Sequence, residues 1–333
     1  MIFDSSKEMM EFLDEEVRLS QNEQDKLRDY RETNLERLEN GLIKNNDPMY
    51  KKVINQGSYA MNTINQHPAN DYDIDVGIIF DKKDLKGSKG GDMYALDARK
   101  MVCYAMQDDR FNKQPEVLKN CVRVYYEEGH HVDMPVYRRY KDENGNEVQE
   151  LASNVWKESD PESITSWYNN AVIEKSPDTS NGRQMRRITR LLKKWGNSRD
   201  SWNMPSGFML SVLVDEKYKD NDGRDDDSLY ETLNAIRDRL SCNKTVYNPV
   251  TGDSISEGKE PLLTNMHEKL DDALKNTLNV LDEDGCTHKQ AMKAWSKFFN
   301  DDFFKDKIDD EARSETNDGY RNTSGGNKLW RCC

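Results

Sequence analysis

Three aspartates in this sequence have the spacing to do chemistry. Asp73 and Asp75 are separated by one residue inside the run DIDVGIIF, and Asp133 lies in a second apolar run, HVDMPVY. Side chains of a strand alternate between faces, so Asp73 and Asp75 point one way while Ile74, Val76 and Ile78 point into a core. Two carboxylates side by side repel each other, and a divalent cation is the economical remedy. The same alternation puts Val132, Met134 and Val136 on one face and His131, Asp133 and Pro135 on the other. If the two strands are neighbours, three carboxylates can hold two ions ~3.5–4 Å apart, the arrangement that serves phosphoryl transfer. Mg²⁺ suits such oxygen ligands, with Mn²⁺ as the alternative.

Upstream stands Gln56-Gly57-Ser58, with Ser58 fifteen residues before Asp73. A glycine lets a backbone approach a phosphate closely, and the serine after it offers both an N–H and a hydroxyl. Farther along, RQMRRITRLLKKW contains six basic residues and no acidic one. At ~100° per residue, Met185, Ile188, Leu191, Leu192 and Trp195 take one half of a helix. Arg183, Arg186, Arg187, Arg190, Lys193 and Lys194 take the other, which asks for an anionic partner in an acidic chain. Pro205-Ser206-Gly207 reads as a helix start whose amides could meet a phosphate.

The elements needed to position these residues are legible. Residues 6–43 read as one long amphipathic helix, with Ser5 or Ser6 as its cap and Gly41 and Asn45-Asn46-Asp47-Pro48 as its end. Strands follow at 72–80, on either side of Glu128-Gly129, and around the tight-turn pair Asn144-Gly145. A helix at DMYALDARKMVCYAM sits between them. Beyond Pro161 helical periodicity returns at 162–174, 183–195, 206–218, 227–240, 262–281 and 288–304. His130-His131 reads as a turn-proximal surface pair, KDNDGRDDDS as a solvated acidic loop, and the tryptophans at 156, 167, 195 and 295 as core.

Length and charge bound the function. At 333 residues the chain is long enough for two lobes, and its net charge of −13 argues against gripping duplex DNA. Its six cysteines form no C-x-x-C pair, so structural zinc is not expected. No secretory signal and no membrane-length apolar run is present, which predicts a cytoplasmic protein with reduced thiols.

The combination of QGSY, NDYDID and VDMP resembles the DNA polymerase β-like nucleotidyltransferase superfamily. Within it the sequence resembles the CD-NTases, bacterial relatives of cyclic GMP-AMP synthase and oligoadenylate synthase that act in CBASS anti-phage defence. The likeness continues in VWKESDPESITSW, RLLKKWGNSRDSWNMPSGFMLSVLV and NPVTGD. It implies an α/β (α+β) fold with a polymerase β-like core and mixed sheet, a long N-terminal helix and a helical C-terminal lobe. The expected divisions are a helix over 1–45, a catalytic core over 46–160, a helical lobe over 161–308 and a flexible tail over 309–333.

The resemblance also implies roles. Asp73, Asp75 and Asp133 would hold two Mg²⁺ ions at a donor triphosphate, with Asp133 near the attacking ribose hydroxyl. Ser58 and Gly57, assisted by Gln56, would contact donor phosphates, as would Ser206 and either Lys193 or Lys194. The implied reaction joins NTPs, ATP and GTP among them, into a cyclic di- or trinucleotide that activates a separate effector. Regulatory partner proteins are a further implication. A linear oligoadenylate synthase, or a transferase acting on RNA, protein or a small molecule, is the alternative.

Overall fold

The computed structural model describes residues 1–67, 73–87, 89–127 and 129–308. The expected tail, and Asn70-Asp71-Tyr72 of the aspartate motif, fall outside these. Among the described residues no helix is long and apolar enough to cross a membrane.

The chain opens with α1 (Ser6–Phe12), which widens into a π-helical turn over Leu13–Val17. The single long helix expected over 6–43 does not form. Arg18 turns extended, and a new helix, α2 (Gln21–Asn45), starts where the Ser20 hydroxyl caps the Glu23 amide. The break has a packing cause. Met9, Phe12, Leu13 and Val17 belong to the core of the helical lobe, whereas Leu19, Leu27, Leu35, Leu38 and Leu42 belong to the core behind the sheet. One straight helix could not bury its apolar face in both. Gly41 does not end α2. It lies within the helix, where a Cβ would come 1.7 Å from the Ala105 carbonyl oxygen, so a side chain there would push α2 away from its neighbour. The helix ends within the expected Asn45-Asn46-Asp47-Pro48 stretch, at Asn46 in the left-handed conformation.

The core continues through β1 (Lys52–Gln56), a short α3 (Gly57–Ala60), β2 (Asp73–Asp81), α4 (Ala95–Ala105), β3 (Glu116–Val117), β4 (Val122–Tyr125), β5 (His131–Met134), β6 (Val136–Lys141), β7 (Glu147–Ala152) and β8 (Trp156–Glu158). β1 runs antiparallel to β2 on one side, and β5 and β6 run parallel to β2 on the other. β5 and β6 keep one register against β2 and are separated only by Pro135, whose carbonyl still accepts the Ile78 amide at 2.8 Å. Proline cannot donate to a ladder. At this point the outer neighbour changes from β4, antiparallel to β5, to β7, antiparallel to β6. The mixed sheet is the one expected. Ile74, Val76, Ile78, Val132, Met134 and Val136 are fully buried on its core face.

The helical lobe comprises α5 (Pro161–Lys175), α6 (Gln184–Gly196), α7 (Gly207–Lys217), α8 (Asp225–Cys242), α9 (Glu260–Asn276) and α10 (His288–Phe299), the last opened by a Thr287–Gln290 capping box. The tryptophan expectation holds fully for Trp195 and Trp295, which are buried, whereas Trp156 and Trp167 are partly buried. The acidic stretch is a solvated loop only in its first half, where Lys219, Asp220, Asp222 and Gly223 are exposed. Asp225, Asp226 and Asp227 form the first turn of α8 and are buried, Asp225 against Arg187, and Asp226 and Asp227 against the Ser5 and Ile2 amides.

Candidate active site

Strand alternation and register place the three aspartates together. Asp73 and Asp75 share the face of β2 opposite Ile74, and Asp75 stands directly across the parallel ladder from Asp133. All three line a cleft of about 740 Å³ between the sheet and the helical lobe. Gln56, Gly57, Ser58, Lys193 and Ser206 line it too.

Gly57 has a reason to be glycine that the sequence did not disclose. Its φ is +64°, and a Cβ there would lie 2.1 Å from Asp75 Oδ2. The residue therefore makes room for a carboxylate. Gln56 pairs with Asp75 in the β1–β2 ladder, and its side-chain oxygen accepts the Tyr137 hydroxyl at 2.9 Å, which fixes the amide.

The electrostatics of the cleft centre on Asp75. Burial, then the neighbouring Asp133 and Asp73 carboxylates, push its pKa up to about 7 against the pull of Arg123. Arg123, on β4, was not singled out in the sequence. It donates to both oxygens of Asp133, Nε to Oδ1 at 2.7 Å and Nη2 to Oδ2 at 2.8 Å, and stands 3.7 Å from Asp73. Its own pKa is raised, chiefly by the hydrogen bond to Asp133. A signal existed: Arg123 sits between Val122 and Val124, which are buried, and so must project onto the face the carboxylates use. His131 Nδ1 lies 3.3 Å from Asp73. The two histidines do face opposite ways, but His130 is not at the surface. It is buried, with Nε2 3.2 Å from Glu23 of α2.

The donor set suits a hard divalent cation, being carboxylate oxygens, and the repulsion that raises the Asp75 pKa is what such a cation would relieve. Among the described residues no three His, Cys, Asp or Glu side chains form a ready-made metal cluster, and Arg123 engages Asp133.

The basic helix is corrected in part. Arg187 is buried in a double ion pair with Asp178 and Asp225. Arg186 and Arg190 reach back to the Met61 and Asn62 carbonyls. These arginines therefore do not form a solvent-facing stripe. The two lysines part company. Lys193 faces the cleft, where its ammonium donates to Thr63 Oγ1 at 2.8 Å and packs beside Gly207; burial and Arg190 bring its pKa down to about 8. Lys194 points away, paired with Asp301 at 3.1 Å and donating to the Glu16 carbonyl. Ser206 caps α7, accepting from Met209, and contributes to the cleft wall. Phe208 gives the cleft a partly exposed aromatic side chain, which sequence reasoning did not locate.

Known proteins resemble this chain in part of its sequence and in its fold. Residues 51–137 match the family model "Cyclic GMP-AMP synthase DncV-like, nucleotidyltransferase domain". A cyclic GMP-AMP synthase of Escherichia albertii is 25% identical over 238 residues, which cover 69% of this chain and 51% of that protein. The chain thus spans about half the length of this curated relative. Among solved structures, Vibrio cholerae DncV with the linear intermediate 5′ pppA(3′,5′)pG superposes with a TM-score of 0.68 at 16% identity, covering 89% of this chain and 96% of that one. The Bradyrhizobium diazoefficiens CD-NTase CdnG with GTP gives 0.68 at 14% identity, covering 93% and 100%. At such identities the likeness speaks for the fold.

Proposed function

We propose that this chain, which carries a DncV-like nucleotidyltransferase domain, is a cyclic oligonucleotide synthase. It joins NTPs into a cyclic di- or trinucleotide with release of pyrophosphate. The observation that carries this reading is the meeting of Asp73, Asp75 and Asp133 in one cleft with Ser58 and Lys193. An arrangement of carboxylates facing a serine turn and a lysine is what a triphosphate and its counter-ions require.

Within this reading Asp73 and Asp75 hold Mg²⁺, assisted by Asp133 as Arg123 yields it. When bound, the metal neutralises phosphate charge and orients the phosphorus under attack. Ser58 and Lys193 bind donor phosphates, and Ser206 borders them. Gly57 keeps the turn against Asp75. Phe208 offers a face on which a base can stack. The cleft volume of about 740 Å³ lies within the ~300–1,000 Å³ range of ligand-binding pockets. ATP and GTP are the candidate substrates, because the relatives' structures carry them. A cyclic product would act as a second messenger on a separate effector in anti-phage defence, inside the cytoplasm.

Purified protein with Mg²⁺ and the four NTPs is the test. It should release pyrophosphate and yield a product that resists phosphatase, with a mass lacking any terminal triphosphate. A product that phosphatase trims, carrying a triphosphate end, would establish a linear synthase instead. Unchanged turnover after Asp73→Ala and Asp75→Ala would overturn the assignment altogether.

A further inference from the structure

Behind the turn that carries Ser58 lies a second cavity, of about 240 Å³, lined by Arg18, Arg186, Arg187 and Arg190 with Gln24 and Asn62. We propose that it is a binding site for a phosphate-class oxyanion, inorganic phosphate or pyrophosphate, separate from the nucleotide cleft. The proposal does not depend on the reaction assigned above.

Four guanidiniums meet in a chain of net charge −13, so their compensation decides the case. Arg187 is fully engaged by Asp178 and Asp225. Arg18 pairs with Asp14 at 2.8 Å, on the rim, where that carboxylate is about half exposed. Arg186 and Arg190 have only neutral oxygens. Arg186 donates to Met61 O, Gly182 O and Asn169 Oδ1, and Arg190 donates through Nε and Nη2 to Asn62 O.

Arg190 is the informative residue. It is 8% exposed, and its buried Nη1 makes no hydrogen bond to any described residue. A buried, unsatisfied guanidinium nitrogen is costly and calls for an acceptor. Burial, and then Arg18 and Arg186 alongside, lower its pKa to about 10, which agrees with an excess of positive charge in the pocket. Guanidinium forks match tetrahedral oxyanions in pairs of parallel bonds. The volume is below the ~300 Å³ at which pockets for drug-sized molecules begin, and it accommodates a small ion.

The site stands apart from the cleft. None of its lining residues lines the larger cavity. Residues 57–63 face both ways, giving Gly57, Ser58 and Met61 to the cleft and Asn62 to the arginine pocket.

Calorimetric titration of the full chain, in chloride buffer without divalent ions, tests the proposal. Inorganic phosphate and pyrophosphate are titrated separately into the unmodified protein, Arg18→Glu and Lys193→Gln. At least one ion should bind saturably, should bind Lys193→Gln with little change, and should bind Arg18→Glu at least tenfold more weakly. If Arg18→Glu does not fold, as judged by its melting curve, Arg186→Gln replaces it with the same expectation. Tighter binding of pyrophosphate would identify a diphosphate as the preferred source, and equal binding would identify free phosphate as sufficient. Absence of binding by both ions, loss of binding in Lys193→Gln, or unaltered binding in the arginine variant would overturn the proposal.

Discussion

The guanidinium of Arg123 grips both carboxylate oxygens of Asp133 across the β4–β5 ladder, at 2.7 and 2.8 Å. It also leans toward Asp73 at 3.7 Å. One guanidinium thus serves two of the three carboxylates, Asp133 closely and Asp73 at longer range.

Removing that cation should expose the repulsion it offsets. Arg123→Gln is expected to lower metal-free stability by roughly 1–3 kcal/mol, the cost of leaving the buried Asp133 carboxylate unpaired. Mg²⁺ should narrow the deficit by supplying charge in its place. Melting curves in EDTA and in Mg²⁺ read both effects, and a deficit of the same size in each would show that Arg123 has only a packing role.

The raised pKa of Asp75 has a sign that can be worked through. It stands at about 7 in the fold against 3.8 ordinarily. Between those values the folded protein holds a proton that the unfolded chain has released. Metal-free stability should therefore be fully present below about pH 4 as far as this group is concerned, and decline as pH rises toward 7. Asp75→Asn should flatten the decline, melt higher than the parent at pH 8 without metal, and lose nucleotide transfer. A pH–stability curve identical to the parent's would contradict the assigned environment.

Gly57→Ala is predicted to fail for two reasons at once, positive φ and collision with Asp75 Oδ2. Strain of this kind costs roughly 1–3 kcal/mol. The variant should melt lower and should also lose transfer beyond what the lower stability explains. Turnover measured well below its melting temperature checks the second part; parental rates there would mean that the turn tolerates displacement.

The two adjacent lysines should behave differently. Lys193→Gln should raise the apparent KM for NTP about tenfold or more, because a charged hydrogen bond to phosphate is lost. Lys194→Gln should leave KM unchanged and reduce stability by at most ~1 kcal/mol, through its bridge to Asp301. Equal effects on KM would indicate that the whole face of α6 acts as a general positive surface.

Much of this was legible in the sequence for reasons that are local. The alternation of Asp73-Ile74-Asp75-Val76 fixes which face each side chain takes, and Asn144-Gly145 names its own turn. What escaped depends on partners far away in the chain. Periodicity assigns Arg187 to the polar half of α6, but says nothing of Asp178 and Asp225, which bury it. The same blindness made Asp225-Asp226-Asp227 look like a solvated loop. Nothing local at Arg18-Leu19-Ser20 announces that apolar residues before and after it serve different cores. Arg123 was recoverable in principle, from its place between two buried valines, once Asp133 was known to sit across from it.

The buried first turn of α8 has a consequence for biogenesis. Asp227 and Asp226 receive the amides of Ile2 and Ser5, and Leu281 receives that of Phe3. A ribosome makes the segment around Ile2 early and the residues it docks onto more than two hundred positions later. Met9, Phe12 and Leu13 must therefore wait, apolar and unseated, until those residues have been made. Closing so long a loop is slow and comes late. The sheet-backed core can assemble as it emerges from the exit tunnel, whereas the helical lobe cannot seal until nearly all of its sequence has been delivered.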